Sequence, residues 1–168
     1  MRWIWIDRFE SFEQGKAAVA MKNVTAAEEH LHDLYPGFAL MPSTLMIEGM
    51  AQTAGILVGA WRNFQEKVIL AKIGKATFVR LVRPGETLIY RANILQINEV
   101  GASVEGKIFS RQTDESGTRE LAVGEVEMMF SHIDQNLAGA RFPEFNFVFN
   151  SEFMALFDAY RRDIPAEI

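Results

Sequence analysis

The chain has 168 residues, 49% hydrophobic and 23% charged, with a net charge of −5. That is the size and balance of one soluble globular domain with room for a substantial core. The acidic excess, with basic residues scattered apart from Arg80/Arg83 and Arg161/Arg162, points away from a nucleic-acid or anionic-membrane partner.

With no cysteine, disulfides, thiol nucleophiles and cysteine-held metals are excluded, which fits a reducing, cytoplasmic location. His30, His32 and His132 are too few and too dispersed for zinc, and His30 and His32 stand two apart rather than on one helix face. Neither a metal nor a cofactor is expected. The opening "MRWIWIDRFESF" is apolar only briefly and carries Asp7 early, unlike a signal peptide. No window reaches about 18 consecutive apolar residues, so no membrane span is expected.

In chain order, "RWIWIDRFESF" and "KAAVAMKNVT" read as two strands joined at Glu13-Gln14-Gly15. "AAEEHLHDLYPGFALMP" reads as an irregular or short-helical segment punctuated by Pro36, Gly37 and Pro42. Ser43 or Thr44 then caps a long helix, "TLMIEGMAQTAGILVGAWRNF". Its apolar residues occupy nearly every face, so it is expected to be surrounded by protein. Gly49, Gly55 and Gly59, poor helix formers, suit close approach of other backbone.

"VILAKIGKATFVRLV" is the next strand, ending at Arg83-Pro84-Gly85-Glu86, a type II turn. "TLIYRANILQINEVG" and "ASVEGKIFSRQ" follow as strands, then a polar turn, Asp114-Glu115-Ser116-Gly117. "RELAVGEVEMMFSHI" alternates as a half-buried antiparallel strand does. In the tail, "FPEFNFVF" precedes a helix capped by Asn150 or Ser151, with Phe153, Leu156, Phe157 and Tyr160 on one stripe. That stripe either docks on the body or meets another subunit.

One ungapped run carries more. Lys22-Asn23-Val24-Thr25, Glu28, Tyr35-Pro36-Gly37, Met41-Pro42, Leu45, Glu48 and Met50-Ala51-Gln52 are followed by the block Lys75 to Glu86 and by "VGEVEMMF". The run resembles the signature of the 3-hydroxyacyl-[acyl-carrier-protein] dehydratases of hotdog fold, over roughly residues 3 to 131. The resemblance implies an α+β hotdog fold over 1–133, an antiparallel sheet wrapped around a long central helix. Residues 134–168 would form an extension with an amphipathic helix packed on the body, capping the tunnel mouth or covering the sheet.

The resemblance also implies a dimer with two sites at the subunit interface, each pairing a histidine of one chain with the helix glutamate of the other. The histidine removes the Cα proton of a (3R)-hydroxyacyl thioester on acyl-carrier-protein or CoA; the glutamic acid protonates the departing β-hydroxyl. Glu48 takes the acid's place, and a carboxyl enclosed by protein holds its proton better than one in water. Gln52, one turn on, is positioned to orient it. Tyr35, Pro36, Gly37, Pro42, Ser43 and Thr44 fall around the substrate, and the helix N-terminus faces the thioester carbonyl. Phe78 falls on the tunnel wall. Arg80 and Arg83 either meet the acidic carrier or are ordinary strand charges.

Two departures from the pattern bear on the chemistry: Leu34 stands where the family has its histidine, and Ser43 replaces the glycine of Met-Pro-Gly. Losing a general base typically costs about 10²- to 10⁴-fold in rate. His32 is the nearest substitute; in an extended segment it would point the same way as Leu34, roughly 6.5–7 Å away. Tyr35 is a poor base. A histidine-bearing homologue in a mixed dimer is another source. The readings are therefore a dehydratase-like hydro-lyase, a non-catalytic acyl-thioester binder or partner subunit, and a hotdog thioesterase using Glu48 to activate water.

Overall fold

The structure is a computed structural model and describes residues 4–115, 117–133, 142–161 and 164. Six strands form one antiparallel sheet: β1 (Arg8–Glu13), β2 (Ala17–Asn23), β3 (Val68–Phe78), β4 (Thr87–Ile97), β5 (Gly101–Asp114) and β6 (Gly117–His132), in the order β1-β2-β4-β5-β6-β3. Helices among the described residues include α1 (His30–Asp33), α2 (Ser43–Ala60) and α3 (Ser151–Arg161). The sheet curls around α2, which packs on β2 through β6.

Alternation dictates this. In β5, residues 102, 104, 106, 108 and 110 turn inward and are buried, and β6 alternates in the same way from Glu125 onward. Close approach to the helix is made by side chains rather than by the backbone expected. A Cβ on Gly49 would lie 2.5 Å from the Tyr90 ring, and one on Gly59 would overlap Phe149. Tyr90 is fully buried there, and burial pushes its phenol far above the ordinary value.

The expected enclosure of α2 holds on one side only. Its buried flank runs through Met46, Met50, Ala54 and Leu57, whereas Ser43, Thr44 and Glu48 are exposed, with Ala51 and Gly55 half-buried beside them. The last strand of the sheet, β3, is exposed along all but its two end residues, Ile69, Leu70 and Ile73 included. Such an edge is a template for pairing with another chain, and here two bulges, between Leu70 and Lys72 and between Ile73 and Lys75, interrupt its register with β6.

Several boundaries differ from the sequence reading. Ile4–Asp7 does not extend β1, because the Trp5 N–H turns to the Gln52 side chain at 2.9 Å. Beyond Phe78 the backbone leaves the strand and forms the expected turn, with the Glu86 N–H 3.2 Å from Arg83 O and φ 94° at Gly85. Ser116 of the expected polar turn, and 134–141, 162–163 and 165–168 of the tail, lie outside the described residues. Within the tail, Asn150 is the cap of α3: its Oδ1 accepts the Phe153 N–H at 2.9 Å. Phe153 and Phe157 are buried, the latter edge-on to Phe12 and Phe64.

Candidate active site

The site begins at the start of α2. Neither Ser43 nor Thr44 caps the helix; Pro42 does, with φ −62° and ψ 136° and no side-chain hydrogen bond. A proline there has no cap oxygen to offer, so the first N–H groups of the helix keep their positive end facing outward. Pro42 itself is held because the neighbouring Met41 N–H donates to Val82 O at 2.8 Å, tying the incoming loop to the 79–86 segment.

One turn further, Glu48 stands on the exposed face. Gln52 Nε2 donates to Glu48 Oε1 at 2.9 Å, while Gln52 Oε1 accepts from the Trp5 N–H. Gln52 is buried, so both ends of its amide are fixed and the carboxylate is aimed. The two side chains edge a cleft of about 220 Å³ whose apolar walls include Leu70, Phe130, Val148 and Phe149. Among the described residues nothing encloses Glu48, which is exposed.

The loop arm departs from expectation. Residues 30–33 are helical and Leu34 continues in the αR region, so His32 and Leu34 do not share a direction as an extended segment would require. Helical segments turn about 100° per residue. His32 is exposed, its Nε2 lies 2.6 Å from Ala26 O, and it does not line the Glu48 cleft. Leu34 and Tyr35 are also exposed. Tyr35-Pro36-Gly37-Phe38 closes a turn, with the Phe38 N–H 2.9 Å from Tyr35 O and φ 77° at Gly37.

A second histidine is better buried. His30 Nε2 lies 3.1 Å from Glu28 Oε2, and its ring meets Trp5 edge-on at 5.0 Å. Lys22 Nζ reaches Glu28 Oε1 at 3.1 Å. Burial pulls the His30 pKa below its ordinary value, opposed by Glu28 and assisted by Lys22. This group sits behind Trp5, not in the Glu48 cleft.

The residues expected near a carrier are occupied elsewhere. Arg80 Nη1 lies 2.5 Å from Glu86 Oε2, and the Arg83 guanidinium lies 4.4 Å from the Phe38 ring. Burial pushes the Glu86 carboxyl up, but hydrogen bonds from Arg80, Ser110 and the Arg83 N–H more than reverse this and hold it below the usual range. Phe78, half-buried, packs against Gly124 and does not line the Glu48 cleft.

The family model described as the FabA-like domain matches residues 3–111. The chain belongs to that family. Among curated dehydratase relatives, the 3-hydroxyacyl-[acyl-carrier-protein] dehydratase FabZ of Desulforamulus reducens is 33% identical over 130 residues, 77% of this chain and 86% of the relative. The FabZ of Listeria monocytogenes is 35% identical, covering 63% of this chain and 78% of the relative. That of Caldanaerobacter subterraneus is 39% identical over 55% of this chain and 66% of the relative, just under two thirds of its length.

Solved structures add the fold alone. A thioesterase family protein from Silicibacter pomeroyi superposes with TM-score 0.58 at 12% identity, covering 74% of this chain and 82% of that one. The E. coli PaaI protein, from the phenylacetic acid degradation operon, gives 0.55 at 13%, covering 74% and 78%. The α+β sheet around α2 is thus a hotdog fold, as the signature implies.

Sequence reasoning missed Trp5, Leu70, Phe130, Val148 and Phe149 as walls or supports of the cleft. The aromatic run before α3 was the one visible signal, and nothing in it says which element it meets.

Proposed function

We propose that this FabA-like chain supplies the acid half of a 3-hydroxyacyl thioester dehydratase site. Glu48 gives its proton to the β-hydroxyl, the Cα–H bond breaks toward a base, its electron pair forms the C=C bond, and water leaves. The uncapped start of α2 polarises the thioester carbonyl. Gln52 fixes the carboxyl so that little reorganisation is needed at the moment of reaction.

One observation carries the reading: the buried Gln52 amide is committed to Glu48 at the edge of an apolar cleft, whereas position 34 holds no proton acceptor. The base then comes from a second chain. The exposed faces of α2 and β3 are the surface such a chain would cover. A homodimer would carry Leu34 in both sites and turn over slowly; a histidine-bearing homologue would complete one site at full strength. The relatives' names support an acyl-carrier-protein thioester, with CoA as the alternative carrier; a chain without cysteine fits a cytoplasmic setting.

The test is enoyl formation from a (3R)-hydroxyacyl thioester, followed by ultraviolet absorbance, for wild type and Leu34→His, with free thiol read in the same samples. Slow or absent turnover restored by Leu34→His is the expected result. Vigorous enoyl formation by wild type would overturn the missing-base part. Thiol release without enoyl would replace the reading with hydrolysis through Glu48.

A further inference from the structure

Part of the wall of the Glu48 cleft is built by residues outside the family-matched stretch of 3–111. Val148 and Phe149 come from the segment before α3, and a single side chain sets them in place. Asn146 Nδ2 donates to Phe64 O at 3.0 Å and to Glu66 O at 3.2 Å, just beyond α2. Its Oδ1 accepts from the Val148 N–H at 3.0 Å and the Phe149 N–H at 2.9 Å. Every hydrogen-bonding arm of that amide is used. Phe149 then seats over Gly59, where any Cβ would overlap its ring, and meets Phe64 edge-on at 5.0 Å.

The placement has a chemical consequence. From Glu48 to Gly55, the stretch of α2 that lines the cleft, the helix rises roughly 10 Å. One turn on, the Phe149 ring covers Gly59. An acyl chain whose β-carbon lies at Glu48 and whose tail follows α2 therefore runs into Val148 and Phe149.

We propose that Val148 and Phe149, held by Asn146, set the upper limit of acyl-chain length, so that medium chains are accepted and long chains refused. This rests on the thioester reading above. The limit is a property of the tail and can change without touching Glu48, Gln52 or the family signature.

The experiment measures binding of butyryl-, octanoyl- and palmitoyl-pantetheine to the full chain by calorimetry, which needs no turnover. Wild type should bind octanoyl at least about tenfold more tightly than palmitoyl, the discrimination a closed apolar wall supplies. Phe149→Ala should raise palmitoyl affinity about tenfold relative to octanoyl. Because Phe149 is also a packing residue, Val148→Phe is the second variant: at a half-buried position it should weaken octanoyl while sparing butyryl.

Equal affinity of wild type for octanoyl and palmitoyl overturns the inference, as does a length profile unmoved by both variants. In either case the thioester reading stands, since thioesters bind. If no thioester of any length binds, the thioester reading itself fails and takes this inference with it.

Discussion

Two stretches of one signature, residues 22–42 and helix α2, have fared differently. On α2 the glutamate proposed as the acid, its amide partner and the apolar cleft are all present, with Gln52 buried and bonded at both ends. On the loop arm the backbone survives as the turn at Pro36-Gly37 and the tie from Met41 to Val82, yet the side chain that would move a proton is Leu34. Scaffold and chemistry are thus separable within a single motif. Substrate positioning depends on backbone and packing that many residues hold jointly, whereas a general base is one atom on one side chain.

The difference is sharpened most by Leu34→His. If the loop arm lacks only its base, turnover of a hydroxyacyl thioester rises by about 10²- to 10⁴-fold in an enoyl-absorbance assay. In that background Glu48→Gln should remove the gain, at least about a hundredfold, with the circular dichroism spectrum unchanged. Gln52→Ala should lower kcat by about tenfold to a hundredfold with KM less affected, because it displaces the acid without touching the substrate.

A smaller effect concerns the support of the loop arm. Glu86 anchors the 79–86 segment that holds Met41, and its carboxyl is held below the ordinary 4.5. A depressed acid stabilises the fold above its unfolded value and loses that contribution as pH falls through the folded value. Thermal melts in buffers stepping down from neutrality should therefore show acid loss in wild type and a shallower loss in Glu86→Gln. Smallest of all, His32→Ala should leave turnover within about twofold, since an exposed loop histidine outside the cleft performs no step. A collapse of activity there would break the comparison by moving the base back onto this chain.

Much of the fold was legible because it rests on local patterns: alternation along β5 and β6, the turn at Pro84-Gly85, the long proline-free run of α2. The capping of α2 was misread because Ser43 and Thr44 are favourable cap residues in isolation, whereas the loop tie at Met41 puts Pro42 at that position. The pairing of Glu48 with Gln52 was readable from spacing, since positions four apart share a helix face. Trp5 and Phe149 were not, because they reach the site from 47 residues before Gln52 and from beyond the sheet, distances that no periodicity encodes. The exposure of Glu48 was unreadable for another reason: the hydrophobic count of α2 does not say which of its residues are buried in this chain and which are left at its surface.

The bare length of β3 bears on how the molecule is handled. β3 is paired to β6 along one flank and bare along the other, with Ile69, Leu70 and Ile73 outward, and a second chain seated on that bare edge would tie native stability to the amount of protein present. The melting temperature should climb with protein concentration, and specific activity should sag on dilution into a dilute assay. Rate constants gathered at different enzyme concentrations would then describe different mixtures of assembled and single chains.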